Sequence, residues 1–322
     1  MSNPSTPNGP RAFRFGILYM SKVTSGTSFL DQARKIEAQG FSTLLFSDHF
    51  ERSPLAPIPA MAAAAMATNQ IHVGTLVLCN DFRHPAVLAK EALTLELVAP
   101  GRIELGIGAG WMNQDYDQSG IANERPGIRI ARLEEAIDIL RQQIDNKTTS
   151  HTGTYYSIAD MPAIPATPQA NRMPILVGGA GRRLLSLAAR TADIVGLNWN
   201  VRAGVVGNDA ISSGISEATD EKLAWIREAA GERFASIELH AQCYLLSITD
   251  RPIEAIERWL ASLGVDLDPA SMLDSPHVLV GPLDQITDKI LERRERWGIS
   301  YLSFYDNHLG DATQIVDRLS GQ

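Results

Sequence analysis

Residues 71–97, IHVGTLVLCNDFRHPAVLAKEALTLEL, have the pattern of one complete strand-and-helix unit. The apolar run over residues 71–78 predicts a buried strand, and Pro85 begins an alanine- and leucine-rich segment to residue 97 that predicts a helix. The same order precedes this unit, with a strand predicted at residues 43–47 and a helix at residues 57–68. Each unit takes about thirty residues, which is typical of the strand–helix repeat of a parallel sheet.

Further apolar runs predict six more strands, at residues 13–18, 103–107, 174–177, 192–195, 237–245 and 299–304. Segments with helical spacing lie between strands, among them residues 29–39, 128–141 and 283–297. Eight alternating units in 322 residues predict an α/β fold, a (β/α)8 TIM barrel with insertion segments, in preference to an open doubly wound sheet. We expect residues 1–12 to form a disordered tail and residues 13–322 a single barrel domain.

Two stretches are longer than ordinary connections between elements. Residues 146–171 contain Pro162, Pro165 and Pro168, and residues 202–219 are rich in glycine and serine. Because the loops after barrel strands build the active site, a long insertion there can cover a substrate. We take residues 202–219 as the candidate lid.

The composition argues against several classes of partner and site. The formal net charge is −8 and the basic residues are dispersed, so no nucleic acid partner is expected. Cys79 and Cys243 lie far apart without a CxxC pair, and the histidines form no HExxH motif, so neither a disulfide nor a metal site is expected. No apolar run reaches the roughly 18 residues of a membrane span, and residues 1–12 lack a signal-peptide core. A cytoplasmic protein without membrane association is therefore expected.

Two ionisable residues, Asp48 and His49, directly follow the strand predicted at residues 43–47. On the rim of a barrel, a histidine can exchange a proton near neutral pH. In the alternative interpretation, Asp48 caps the following segment and His49 packs beneath it. The position at a strand end favours a functional pair, and His84 is the candidate for a second rim residue.

Two glycine-rich runs follow predicted strands, GIGAGW at residues 106–111 and VGGAG at residues 177–181. In the first run, bare backbone can approach a planar ring, and Trp111 can form a wall beside it. In the second run, N–H groups at the start of a helix can hold a phosphate, with Arg182 and Arg183 adding charge. A tight turn is the alternative for the second run, which is neither a Walker loop nor a dinucleotide fingerprint.

Five motifs, taken in order, resemble the luciferase-like monooxygenase superfamily. The resemblance is closest to its actinobacterial branch that uses coenzyme F420, a deazaflavin with a phosphate and a polyglutamate tail. The motifs are specific in combination, and the likeness covers nearly the whole chain after the tail. They are LFSDH at 45–49, GTLVLCNDFRHP at 74–85, PGRIELGIGAGW at 100–111, PILVGGAG at 174–181 and GISY at 298–301.

The resemblance implies roles for particular residues. It implies a cis peptide bond between Leu76 and Val77, which would form a bulge behind the central ring of the cofactor. Asp48 would lie near the reactive edge of the deazaflavin, and His49 would donate or accept a proton on the substrate, so these two are the implied catalytic pair. The cofactor-binding residues it implies are Asp48, Leu76, Val77, Cys79, Gly108, Ala109, Gly110 and Trp111 at the ring, and Gly178, Gly179, Ala180 and Gly181 around the phosphate.

The implied reaction is hydride transfer between coenzyme F420 and a small organic metabolite, as the reduction of a C=C, C=N or C=O bond or its reverse. The alternative within the superfamily is an FMNH2-dependent monooxygenase that binds FMN. Alternatives outside it are a non-catalytic flavin- or deazaflavin-binding protein and a barrel hydrolase or lyase. We expect a separate enzyme to reduce the cofactor. Because members of the superfamily often form dimers, we also expect a homodimer.

The substrate is less defined than the cofactor. No basic set of the kind that binds a sugar phosphate is matched in this sequence, and the candidate lid holds only Arg202. Several aromatic residues can either line a pocket for a hydrophobic metabolite or belong to the core, namely Phe15, Tyr19, Phe82, Trp111 and Trp199.

Overall fold

Eight parallel strands close into a barrel in the computed structural model of the protein, which describes residues 10–166 and 172–322. Counting the strands outside the barrel, the described residues form β1 (Arg14–Leu18), β2 (Thr43–Phe46), β3 (His72–Thr75), β4 (Leu78–Cys79), β5 (Ile103–Gly108), β6 (Thr149–Thr152), β7 (Ser157–Met161), β8 (Ile175–Gly179), β9 (Ile194–Leu197), β10 (Glu238–Cys243), β11 (Leu245–Ile248), β12 (Val278–Gly281) and β13 (Ile299–Tyr305). The helices are α1 (Gly26–Ala38), α2 (Pro57–Ala67), α3 (Pro85–Val98), α4 (Asn113–Ser119), α5 (Pro126–Ile144), α6 (Arg182–Thr191), α7 (Asn208–Ser212), α8 (Ser216–Ala230), α9 (Pro252–Ser262), α10 (Leu283–Trp297) and α11 (Leu309–Leu319).

The barrel runs β1–β2–β3–β5–β8–β9–β10–β13 and returns to β1, with every pair of neighbours parallel. Arg14 on β1 lies opposite Tyr301 on β13, and Val73 on β3 lies opposite Ile103 on β5. No barrel strand is therefore left with a free edge, and the predicted (β/α)8 barrel is confirmed.

The helices begin where short-range signals place them. Prolines occupy the first turn of α2, α3 and α5, where their missing N–H group has no cost. Helix α1 begins at Gly26, earlier than predicted, because Ser25 and Ser28 form a reciprocal capping box. No helix among the described residues combines the length and the apolar character that crossing a membrane requires.

The third barrel strand is interrupted in its middle. β3 ends at Thr75 and β4 begins at Leu78, and the peptide bond between Leu76 and Val77 is cis. The continuous strand predicted over residues 71–78 is therefore wrong at its centre, whereas the cis bond that the family resemblance implied is present. β4 still pairs with β5, so the bulge leaves the barrel closed.

The strand predicted at residues 237–245 also divides into two elements. β10 belongs to the barrel, whereas β11 leaves it and pairs in parallel with β12. The apolar pattern continues across Tyr244, so it does not mark the division.

A cluster of charged and polar groups lies inside the barrel. Arg14 donates to the carboxylates of Glu104 and Glu238 at 2.9 and 2.7 Å, and it lies 3.8 Å from the ring centroid of Tyr301. The Tyr301 hydroxyl donates to Glu104 at 3.0 Å. Because these groups satisfy one another, they can be buried without unpaired hydrogen-bonding atoms.

The two insertions contain regular structure where they are described. β6 and β7 form an antiparallel hairpin within residues 146–166, whereas residues 167–171, with Pro168, lie outside the described residues. Most of the predicted tail, residues 1–9, also lies outside them. Residues 202–219 contain α7 and the start of α8, and they bury Ala210 and Ile211. Their glycine and serine content therefore does not make the candidate lid a structureless loop.

Candidate active site

A cavity of about 940 Å³ opens at the C-terminal ends of the barrel strands. Residues that follow β2, β5, β8, β9, β10 and β13 line it, which is where barrel enzymes place their active sites. The lining includes every residue for which the sequence implied a catalytic or cofactor-binding role: Asp48, His49, Leu76, Val77, Cys79, Gly108, Ala109, Gly110, Trp111, Gly178, Gly179, Ala180 and Gly181.

Glycines of β5 pack against the bulge at Leu76 and Val77. A Cβ atom on Gly106 would lie 1.9 Å from the carbonyl oxygen of Thr75, and one on Gly108 would lie 2.8 Å from a methyl carbon of Val77. Glycine is the residue that permits such close backbone approach. The GIGAGW run is therefore explained first by the packing of β5 against the bulge, and the bulge itself lines the cavity.

Asp48 is engaged by three donors. Its carboxylate accepts from two N–H groups of Arg83, at 2.5 and 3.2 Å, and from the backbone N–H of Cys79 at 3.0 Å. The side chains of Asp48 and Arg83 are only 9% and 20% exposed. Because donors already occupy its oxygens, Asp48 is suited to orient the segment after the bulge rather than to take up a proton from a substrate.

His49 is paired with Asp115 on the cavity rim. Its Nδ1 atom lies 2.6 Å from one carboxylate oxygen of Asp115, and the other oxygen accepts from the backbone N–H of Phe50 at 3.0 Å. A buried carboxylate beside Nδ1 holds the ring proton on that atom, so Nε2 is the atom that can exchange a proton with a ligand. Trp111 packs edge to face on the imidazole with ring centroids 5.6 Å apart, which further restricts the ring.

The VGGAG run leads from β8 into α6. Gly181 is the N-cap residue of α6, and no atom lies within 4 Å of the position that its Cβ atom would take. The unpaired N–H groups and the positive end of the helix dipole therefore border space that an anion can enter. Arg182 pairs with Glu228 at 2.9 Å, whereas Arg183 has no ion pair within the described part of the chain. We call residues 178–181 the glycine cradle.

Cys79 belongs to a buried polar chain beside the cavity. The Tyr116 hydroxyl donates to Asp81 at 2.9 Å and lies 3.6 Å from the Cys79 sulfur, and Arg132 pairs with Asp81 at 2.8 Å. Burial raises the pKa of the Cys79 thiol to about 12, so the sulfur is a neutral packing atom and not a nucleophile.

His240 lies in the cavity lining at the end of a hydrogen-bond chain. The Gln242 amide donates to the Cys243 carbonyl, the Ser303 hydroxyl donates to Gln242 at 2.6 Å, and the Ser303 oxygen lies 2.7 Å from His240 Nε2. Because the Ser303 hydroxyl donates its proton to Gln242, its oxygen accepts from His240, and the imidazole proton is therefore on Nε2. Burial lowers the pKa of His240 to about 3, so this imidazole stays neutral and does not deliver protons.

The prediction that His84 is a rim residue is wrong. Its Nδ1 atom accepts from the backbone N–H of Ala86 at 3.2 Å and caps α3, outside the cavity lining. Because Pro85 is the first residue of α3, the residue before it takes the N-cap position.

The aromatic candidates divide between cavity and core. Phe82, Trp111 and Trp199 line the cavity, whereas Phe15 and Tyr19 are buried in the core and do not. In β1, Phe15 points away from the barrel interior and packs under the helices. Because both faces of such a strand are buried, its apolar sequence does not reveal which residues point into the barrel.

Sequence reasoning missed Asp115 and Asn198 in the cavity lining. Asp115 lies in the first turn of α4, where acidic residues are common, so it carries only a weak signal. Asn198 directly follows β9, so the strand-end rule that selected Asp48 also applies to it.

The fold and this rim define a class of protein, an enzyme built on a (β/α)8 barrel that acts at the C-terminal ends of its strands. Residues 13–206 match the family described as luciferase-like monooxygenase. Because the match spans more than half of the chain, the protein belongs to the luciferase-like monooxygenase family and is an enzyme of that family.

Curated relatives are similar over different lengths. An F420-dependent glucose-6-phosphate dehydrogenase from Microbacterium testaceum is 32% identical over 190 residues, which are 56% of this chain and 55% of that protein. The chain thus matches only about half the length of this relative. An F420-dependent glucose-6-phosphate dehydrogenase from Kineococcus radiotolerans is 28% identical over 303 residues, which are 90% of this chain and 82% of that protein.

A solved structure shares the fold at low identity. The coenzyme F420-dependent tetrahydromethanopterin reductase from Methanopyrus kandleri superposes with a TM-score of 0.74 and 18% identity, covering 96% of this chain and 98% of that one. At this identity the similarity concerns the architecture of the barrel.

Proposed function

We propose that this protein is an F420-dependent oxidoreductase that transfers a hydride between the deazaflavin and a small organic metabolite, reducing a C=C, C=N or C=O bond. The observation that carries the proposal is the Asp115–His49 pair on the rim of the same cavity that the glycine cradle borders. The names of the curated relatives support the choice of cofactor.

The residues of the cavity fit a deazaflavin. The N–H groups that follow Gly181 would hold its phosphate, and Arg183 would add a cation near them. Leu76 and Val77 would support its ring. A Cβ atom on Gly178 would meet only a Val77 methyl carbon, at 3.6 Å, so a side chain at this position would fill the space above the bulge that glycine leaves free.

A bound deazaflavin supplies or accepts a hydride. His49, with Nδ1 held by Asp115, would transfer the accompanying proton at Nε2, in either direction of the reaction. Asp48 and Arg83 would keep the bulge in place, and Trp111 with the candidate lid, residues 202–219, would limit access of water. Because a dissociable cofactor leaves in its altered redox state, we propose that a separate enzyme restores it.

FMN is the alternative ligand, because it also has a planar ring and a phosphate. The purified protein is titrated separately with coenzyme F420 and with FMN, and binding is followed by the change in cofactor fluorescence. We expect a Kd of about 1 μM or lower for F420 and weaker binding of FMN.

Gly181→Asp tests the phosphate position within the glycine cradle. Aspartate is a good N-cap residue, so α6 is retained while its carboxylate competes with a ligand phosphate for the same N–H groups. Gly181→Asn is the matched control, with nearly the same shape and no charge. Gly179 is less suitable, because a Cβ atom there would lie 2.6 Å from the Leu184 side chain.

The expected result is that Gly181→Asp weakens F420 binding by about tenfold relative to Gly181→Asn. Selective binding of FMN by the wild type, with oxygen-dependent turnover, would favour the monooxygenase. Binding of neither cofactor would overturn both functions, and unchanged F420 binding in both variants would remove the phosphate from this position.

A further inference from the structure

The orientation of the Asn198 side chain is fixed by its neighbours. Its Oδ1 atom accepts from the backbone N–H of Trp199 at 2.7 Å and from the hydroxyl of Tyr244 at 2.5 Å. Because a backbone N–H can only donate, the oxygen must lie on this side and the amide nitrogen on the other. Burial raises the pKa of Tyr244 well above its ordinary value, so the phenol keeps the proton that it donates.

The amide nitrogen of Asn198 is available to a ligand. Nδ2 has no hydrogen-bond partner within residues 10–166 and 172–322, and it is not among the side-chain atoms sealed from solvent. Asn198 lines the cavity. Its backbone is anchored, since its N–H donates to Gly179 at 3.0 Å and its carbonyl accepts from Lys222 at 2.7 Å. The protein thus holds two N–H donors in a fixed position at the cavity.

Aromatic side chains surround this donor. Trp199 packs on Tyr244 with ring centroids 3.9 Å apart, and Tyr244 lies 6.0 Å from Tyr305 by the same measure. All three residues line the cavity, and Val201 and Val206, which pack against the cluster around Trp199, line it as well. We call Trp199, Tyr244 and Tyr305 the aromatic wall.

Cations are few away from the glycine cradle. Arg129, Arg182 and Arg183 belong to α5 and α6. The other two arginines of the lining are exposed, namely Arg202 and Arg52, and Arg52 is the one cation of this lining whose charge acts on Tyr305 of the aromatic wall. A sugar phosphate needs several charged donors for its phosphate. A neutral carbonyl compound needs one donor for its oxygen and apolar surface for the remainder.

We infer that Asn198 determines the substrate class: its amide N–H groups bind a carbonyl oxygen of a neutral, apolar substrate that packs on the aromatic wall. The inference rests on the proposed function in taking this cavity as the substrate site. It makes glucose 6-phosphate, the substrate named for the relatives, a poor ligand for this protein.

The test compares two probes that differ in one carbonyl oxygen, 2-acetonaphthone and 2-ethylnaphthalene. Their binding to the purified protein is measured by equilibrium dialysis, with glucose 6-phosphate as a third ligand. We expect the ketone to bind about tenfold more tightly than the hydrocarbon, and glucose 6-phosphate more weakly than either.

Asn198→Asp is the decisive variant. One carboxylate oxygen still accepts from Trp199 and Tyr244, while the other replaces the free N–H donors with an acceptor that repels a carbonyl oxygen. The preference for the ketone is expected to disappear. Asn200→Asp is the matched control, because it adds the same charge to a neighbouring lining residue and should retain the preference. Thermal unfolding of both variants verifies that they fold.

Several results would overturn the inference: equal binding of the two probes or no binding of either by the wild type, equal loss of preference in both variants, or tighter binding of glucose 6-phosphate than of the ketone. A cofactor titration distinguishes a carbonyl oxygen of the substrate from one of the cofactor as the partner of Asn198. Loss of F420 or FMN binding in Asn198→Asp, with the ketone preference retained, would assign Nδ2 to the cofactor and overturn the inference. Failure of the proposed function is distinguishable, since it appears as absence of F420 binding by the wild type.

Discussion

His49 depends on Asp115 for the position of its proton, because an Asp115 oxygen lies 2.6 Å from Nδ1. Asparagine at position 115 keeps the shape but offers either an N–H group or an oxygen, so the proton is no longer confined to Nδ1. We predict that Asp115→Asn lowers turnover by about 10² to 10⁴-fold and leaves the cofactor Kd within about twofold. Imidazole ¹⁵N chemical shifts of histidine-labelled protein report the tautomer directly and need no substrate.

Asp117→Asn is the control for this prediction, since Asp117 lies on the same helix and is exposed. His49→Gln identifies the His49 resonances by their disappearance. If Asp115→Asn leaves both the ¹⁵N shifts and turnover unchanged, Asp115 only anchors the backbone at Phe50 and does not position the histidine.

Both cysteines should be inert in the folded protein. Burial raises the pKa of Cys79 and of Cys243 to about 12, and the thiolate is the reactive form. We predict that Ellman's reagent at about pH 8 modifies neither thiol until a denaturant is added, when both react. Because the unfolded thiols ionise at lower pH than the folded ones, the stability that these residues contribute is complete below about pH 9 and falls as the pH rises toward 12. Rapid labelling of Cys79 without denaturant would contradict this.

At the scale of elements, Lys222 on α8 connects the insertion to the barrel. It is buried, and its ammonium group donates to the carbonyls of Asn198 at 2.7 Å and Ser213 at 2.5 Å. Methionine preserves the apolar stem but leaves both partly buried carbonyls without this donor, which costs at most about 1 to 3 kcal/mol for each. We predict that Lys222→Met lowers the melting temperature and speeds tryptic cleavage at Arg202.

Lys289→Met is the matched control, because Lys289 also donates to a backbone carbonyl, that of Leu273, but away from the insertion. It should leave the cleavage rate at Arg202 unchanged. Equal cleavage in wild type and Lys222→Met would mean that the burial of Ala210 and Ile211 alone fixes the insertion.

Over the whole molecule, an acidic chain encloses a cavity with an excess of cations. The formal net charge is −8, yet five arginines line the cavity together with Asp48, Asp115 and Asp306. The carboxylates are already engaged by Arg83, His49 or backbone N–H groups. Such a field attracts anions, and its reach falls to about 10 Å at 0.1 M salt. We predict that F420 binding weakens several-fold as NaCl rises from about 0.05 to about 0.5 M.

Two arginine variants separate the sources of this salt dependence. Arg183→Gln should reduce the salt dependence, because Arg183 has no ion pair among the residues described. Arg182→Gln should reduce it less, because Glu228 already pairs with Arg182. The same Kd at low and high salt in the wild type would indicate that hydrogen bonds at the glycine cradle, rather than the arginines, dominate cofactor binding.

The barrel was predictable from the sequence because its signals are local. Apolar runs of strand length, alanine-rich apolar segments after Pro57 and Pro85, and glycines at strand ends recur in order along the chain. The break at Leu76 and Val77 was implied by resemblance alone, since these apolar residues continue the pattern of the strand. The departure of β11 from the barrel has no local signal either, because β11 is at least as apolar as β10 and only its pairing with β12 shows that it has left the barrel.

Asp48, His49 and the glycines were predictable as cavity residues because each lies at or just after the C-terminal end of a strand, and all strands of a parallel barrel end at the same rim. Tertiary structure alone determined their partners. Asp115 meets His49 from 66 positions away, and Asn198 gains its orientation from Tyr244, 46 positions along the chain. Hydrogen bonds between distant elements depend on how the closed barrel brings side chains to within about 3 Å, and no spacing along the chain encodes that distance.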